Sequence, residues 1–259
     1  MQDRAYGAIT VHQDGHVATI TLNNPDRKNA LSPRMVNELL YALDDARDEA
    51  SVRVVVLTGA GESFCAGGDL KQMAGDGPEL ERRGDFDDLL LRFTQLGKPV
   101  VAAVRGYAMG GGVGLVAAAD FAIAADDATL GTPEIKRGLF PMMIMAPLQR
   151  VVPRRALMNM MLLGDKLSAR EALDLGILSH VVPAAELEDK VAEVSAKLAA
   201  QSPTAMRMGL AAFHHQADLP IREAVPYLRD QLHALLGTED AKEGLMAFFQ
   251  KRAPVWKGR

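Results

Sequence analysis

The sequence predicts an α/β protein, and three observations carry that prediction. Short apolar strands alternate with amphipathic helical stretches through the first half of the chain. Two of those strands run into glycine-rich turns that lead on to helical sequence. Beyond Pro141 the pattern becomes mostly helical.

Residues 17–22 alternate Val17, Thr19 and Thr21 against Ala18, Ile20 and Leu22, as a strand does, and Asn23, Asn24 and Pro25 end it with turn chemistry. Ser32 stands where a helix N-cap belongs, with Pro33 at the first helical position. Val36, Leu39, Leu40, Leu43 and Ala46 then recur at helical spacing opposite acidic residues. Residues 52–58, 99–104 and 121–125 read as buried strands, with the Gly110 to Gly114 cluster between the last two. The polar stretch 73–88 predicts a loop or short helices. Ser168 and Glu171 form a capping box for a short helix that Gly176 stops. A helix spans 187–200, and Pro203, Pro220 and Pro226 punctuate the helices that follow. A soft boundary at 201–203 divides a core, residues 1–200, from a helical C-terminal region, residues 201–259.

Composition excludes several classes of function. The 259 residues are 48% hydrophobic and 24% charged, which argues for a folded core rather than disorder. A net charge of −4 with scattered Lys and Arg offers no field for nucleic acid. The single Cys65 rules out an intrachain disulfide and fits a reducing compartment. The first ten residues are no secretory signal, and no apolar run reaches membrane-spanning length, so we expect a cytoplasmic protein. No His, Asp or Glu cluster has metal-ligand spacing, and none of the six histidines sits in a Ser/His/Asp motif.

The segments 63–70 and 106–114 stand out. A strand entering a glycine-rich turn and then a helix exposes backbone N–H groups at the positive end of the helix dipole. Two such turns together hold one oxygen between two donors and stabilise the enolate of a thioester. A glycine cluster after a strand is most often a tight turn, and other phosphate-loop readings fail here. Leu115 replaces the third glycine of a dinucleotide loop, and no Gly-Lys-Ser/Thr follows.

Four segments carry a resemblance to the enoyl-CoA hydratase/isomerase (crotonase) family. They are FCAGGDLK at 64–71, KPVVAAVRGYAMGGG at 98–112, LSAREALDLGI at 167–177 with VVP at 181–183, and GLMAFFQK at 244–251 with Pro254. They run in family order over nearly the whole chain. The resemblance implies a spiral of repeated ββα units followed by a helical trimerisation region, and hence a homotrimer or a dimer of trimers. It implies an acyl-CoA thioester as substrate and no separate cofactor, coenzyme A entering as part of the substrate.

Carried over residue by residue, the resemblance makes the amides of Ala66 and Gly111 the oxyanion-hole donors. It sets Ala66, Gly67, Gly68, Asp69 and Leu70 around the CoA moiety, and Asn29, Ala30 and Leu31 along adenosine and pantetheine. Lys28 and Lys251 are its candidate phosphate partners. Of the family's two catalytic carboxylates, one falls on Gly114 and is absent; the other is Glu134, in the Thr-Pro-Glu segment ending at that residue. A single base suits a double-bond shift better than addition of water, which asks for two proton carriers. The expectation is therefore an isomerase. The alternatives are a hydratase for an unusual or branched enoyl-CoA, working with Glu134 and ordered water, and a CoA-ester-binding protein with little turnover. After Pro141, four bulky apolar residues from Met142 to Met145 replace the family's glycine-rich turn, and are expected to pack a helix start or line an acyl pocket.

Overall fold

The computed structural model describes residues 4–69 and 80–259. The strand-helix alternation appears as β1 (Ile9–Asp14), β2 (Val17–Leu22), α1 (Pro33–Asp48), β3 (Val54–Gly59), α2 (Phe86–Gln95), β4 (Val100–Val104), β5 (Tyr107–Met109) and α3 (Gly111–Ala118). It continues through β6 (Phe121–Ala125), β7 (Thr129–Gly131), α4 (Met145–Val151), α5 (Arg154–Leu163), β8 (Lys166–Ser168), α6 (Ala169–Asp174) and β9 (His180–Val182). Four helices close the chain: α7 (Leu187–Ala199), α8 (Pro203–Gln216), α9 (Ile221–Leu236) and α10 (Glu239–Gln250).

The main sheet has the order β1-β2-β3-β4-β6-β9, antiparallel only between β1 and β2. A smaller sheet, β5-β7-β8, runs beside it. The central strands are near-continuously buried because both faces of the main sheet are covered. Val54, Val56, Val101, Ala103 and Ile123 face Leu187, Val191 and Val194 of α7. The alternate residues Val55, Leu57, Ala102 and Val104 face the larger core with Leu39 and Leu43 of α1. Each fully buried Val or Leu contributes about 1.5–3 kcal/mol of transfer free energy, so this two-sided burial sets the register.

Most of the expected elements are present, with small shifts at their ends. Ser32 caps α1, its Oγ accepting the Met35 N–H at 3.2 Å. The Ser168–Glu171 capping box opens α6. Pro203 and Pro220 start helices, but Pro226 lies inside α9 rather than between helices. There its ring removes one backbone N–H from the helix ladder. Of the polar stretch 73–88, the part up to residue 79 lies outside the described residues, and Phe86 begins α2.

Candidate active site

The site is assembled where β3 and β4 end. After β4 the chain turns at Gly106 and forms β5, and the segment 63–69 lies alongside it. Cys65 N–H donates to the Tyr107 carbonyl and Met109 N–H to the Cys65 carbonyl, both at 2.9 Å. On its other side the same segment meets residues 28–31. Ala66 N–H donates to the Lys28 carbonyl at 2.9 Å, Leu31 N–H to the Gly67 carbonyl at 2.8 Å, and Asp69 N–H to the Leu31 carbonyl at 2.9 Å. The two stretches that the resemblance assigns to CoA are thus one backbone ladder.

Buried Asn29 locks that ladder in place. Its side chain donates to the Ser63 carbonyl at 2.7 Å and the Ala60 carbonyl at 2.9 Å, and accepts the Asn24 N–H. Asp69 is buried, and its Oδ1 accepts from Arg27 at 2.8 Å. Lys28 takes a left-handed backbone and extends its Nζ over the Tyr107 ring, 4.8 Å from the centroid. Lys166 approaches the same ring at 5.3 Å. Leu70 lies outside the described residues. Lys251 closes α10 in a left-handed conformation, and no contact among the described residues ties it to the 66–69 turn.

One expected donor needs correcting. The Ala66 amide is consumed by the Lys28 carbonyl, so it is not free to bind a ligand oxygen. The amides of Gly68 and Gly111, by contrast, have no acceptor among the described residues. They are close together: a Cβ on Gly111 would lie 3.8 Å from the Gly68 nitrogen. Gly111 opens α3, where the first-turn N–H groups have no intrahelical partner and the helix dipole adds positive charge. From Phe64 to Gly67 every amide of the segment has a partner, in order the Arg105, Tyr107 and Lys28 carbonyls and the Cys65 sulfur, and Asp69 N–H is taken by Leu31, so the free donor is Gly68, two residues beyond Ala66. The sequence motif carries no signal of which amide the ladder consumes.

Glu134 reaches the same place from another element. Gly110 N–H donates to the Gly131 carbonyl at 2.8 Å, continuing the β5–β7 pairing. That pairing delivers the short 3-10 turn Pro133–Arg137, and the buried Thr132 hydroxyl anchors its start on the Met160 carbonyl at 2.8 Å. The carboxylate lies against Gly110: a methyl group there would be 2.7 Å from Glu134 Oε1. Glu134 Oε2 is buried without a hydrogen-bond partner among the described residues. Burial pushes the Glu134 carboxyl above its ordinary value, against the pull of its own backbone N–H and of Arg137. A half-buried acid with a raised pKa and an unsatisfied oxygen is suited to carry protons. Cys65 is not suited to chemistry, since burial pushes its thiol up to about 12.

Position 114 has no acid and no room for one. A Cβ on Gly114 would overlap Ile144 Cγ2 and lie 3.0 Å from Ile144 Cβ, with Phe86 Cζ at 3.7 Å. The segment from Met142 to Met145 is therefore split. Met142 and Met143 are 64% and 51% exposed, whereas Ile144 is buried against α3. Sequence reasoning had Ile144 within the stretch expected to pack a helix start or line an acyl pocket, and missed Phe86 as a neighbour of the site.

The Gly68 and Gly111 amides lie together and the Glu134 carboxylate lies against the adjoining Gly110, an arrangement able to hold an anionic oxygen formed by deprotonation beside a carbonyl. The enoyl-CoA hydratase/isomerase profile matches residues 12–259, and the chain belongs to that family of enzymes acting on CoA thioesters. Carnitinyl-CoA dehydratase of Escherichia coli K12 is 38% identical over 97% of this chain and 99% of its own length. Enoyl-CoA hydratase from Bacillus anthracis superposes with a TM-score of 0.90 at 35% identity, covering 98% of this chain and all of that one. Enoyl-CoA hydratase from Mycobacterium smegmatis gives 0.90 at 34% identity, covering 96% of this chain and 99% of that one. The fold is the crotonase fold, mixed α/β with a helical C-terminal region.

Proposed function

We propose that this enzyme shifts a carbon–carbon double bond, converting 3-enoyl-CoA to 2-enoyl-CoA with Glu134 as its one acid and base. The observation that carries the reading is a missing second acid among the described residues: Glu134 stands against Gly110, next to the free Gly111 amide, and position 114 is a glycine.

The two amides bind the thioester oxygen. Glu134 takes a proton from C2, the electron pair moves through the carbonyl, and a dienolate forms with its charge on the held oxygen. Glu134 then returns the proton at C4, leaving the double bond between C2 and C3. Atoms and charge balance without a co-reactant. By general precedent, one donor to such an oxygen contributes about 2.7–4 kcal/mol to the transition state.

The names of the relatives support a second reading, hydration or dehydration, with a bound water doing the second proton job. Product analysis with a 3-enoyl-CoA and a 2-enoyl-CoA decides between them. Faster isomerisation is the expected result, and a dominant hydration rate overturns it. We further assign the ladder of Lys28, Ala30, Leu31, Gly67 and Asp69 to the CoA moiety, Lys28 and Lys251 to its phosphates, and a homotrimer or dimer of trimers to the assembly.

A further inference from the structure

We infer that Ile144, backed by Phe86, is the residue that decides reaction course, by keeping water and any second acid away from the reacting carbons. The inference rests on the proposed thioester site and deepens that reading.

Gly111 and Gly114 lie three residues apart on α3 and so share a face. The first presents its free amide; the second lies under Ile144. Phe86 Cζ spans both, 3.4 Å from a Cβ on Gly111 and 3.7 Å from one on Gly114. The wall beside the amide pair is thus apolar over one helical turn. Gly114 and Ile144 are also mutually exclusive in volume. No side chain larger than hydrogen fits at 114 while Ile144 holds its position, so the missing acid is a feature of two residues and not of one.

The choice of isoleucine matters physically. Its neighbours Met142, Met143 and Met145 are flexible, and a methionine at 144 would move aside for a water. An isoleucine is stiff at its β-carbon and holds its methyl groups in place. Hydration requires a water oxygen to bond to C3 while the double-bond pair moves toward the thioester oxygen. One water proton must pass to a base, and C2 must then gain a proton. The internal proton shift moves one proton from C2 to Glu134 and back to C4 and needs no water, so an apolar plug suppresses the first course and leaves the second.

The test compares Ile144→Ala and Ile144→Val with the wild-type enzyme. The readouts are the ratio of hydrated to isomerised product and the Kd for butyryl-CoA, a saturated thioester that cannot react. We expect Ile144→Ala to raise the ratio at least tenfold with the Kd changed less than threefold, and Ile144→Val to fall between. Gly114→Glu alone should lower the melting temperature, and Gly114→Glu with Ile144→Ala should recover it and hydrate faster than either single variant. A ratio within twofold of wild type in folded Ile144→Ala overturns the inference. If that variant does not fold, an unmoved ratio in Ile144→Val overturns it. A wild-type enzyme that mainly hydrates sinks the isomerase reading and this inference with it, whereas an unmoved ratio in an enzyme that mainly isomerises sinks the inference alone.

Discussion

Glu134 depends on Gly110 for its place. Gly110 has φ +51°, a left-handed conformation, and a methyl group there would press on Glu134 Oε1. Gly110→Ala therefore combines backbone strain, about 1–2 kcal/mol, with displacement of the carboxylate. We expect a drop in kcat larger than the change in butyryl-CoA affinity, read by kinetics and calorimetry. Glu134 itself acts as a base only when ionised. Because burial raises its pKa, the acid limb of the kcat profile should lie above the ordinary glutamate value of 4.5. The same shift has a stability sign. Between 4.5 and the raised value the folded protein holds a proton that the unfolded chain has lost. The contribution is complete below 4.5 and disappears as pH rises through the folded pKa. Glu134→Gln should thus abolish turnover, retain butyryl-CoA binding, and flatten that part of the stability–pH curve in denaturant titrations.

At the scale of elements, the site is a junction of backbone ladders, and a few side chains hold it. Asn29 ties the turn at 24–31 to the loop at 60–63 through two donated bonds. Asn29→Ala leaves buried carbonyls unpaired, at about 1–3 kcal/mol each before relaxation. It should raise KM for the CoA ester more than it lowers kcat, since the ladder it anchors is the part we assign to the CoA moiety rather than to proton transfer. Ser32 has a separate task, capping α1 directly after Leu31. Ser32→Ala should cost about 1 kcal/mol in chemical denaturation and leave kcat within a small factor. Ser32 was legible in the sequence as cap chemistry, whereas Asn29 entered only through the resemblance, as backbone along the CoA moiety, and its role as an anchor was not legible. The small strands β5, β7, β8 and β9 were not legible either, because three residues carry no periodicity.

The whole molecule leaves a broad apolar surface on its last helices. Ile221, Val225, Leu228, Leu232 and Leu236 form one stripe along α9. Phe248 and Phe249 of α10 are each 78% exposed. Such a surface is unusual on a chain that stays alone in water. We expect light scattering to give a trimer or a multiple of it, and Leu232→Glu with Phe249→Glu to give smaller species. A wild-type monomer at micromolar concentration would remove the assembly from the proposal. Among the described residues no helix is long and apolar enough to cross a membrane, so this surface is not a spanning segment.

The sequence by itself determined the α/β class, the central strands, the capped helices, the family and the presence of one acid instead of two. Those features are local: periodicity, turn residues and motifs are written along a few consecutive positions. Tertiary structure decided which amides remain free, moving one donor from Ala66 to Gly68, because the segment runs between two distant stretches, residues 105–109 and 28–31, whose carbonyls take the N–H groups of Phe64, Cys65, Ala66 and Asp69 and leave that of Gly68. It also decided that Ile144 fills the space beside Gly114 while Met142 and Met143 turn outward. A run of apolar residues does not encode which one points inward; close packing against α3 does.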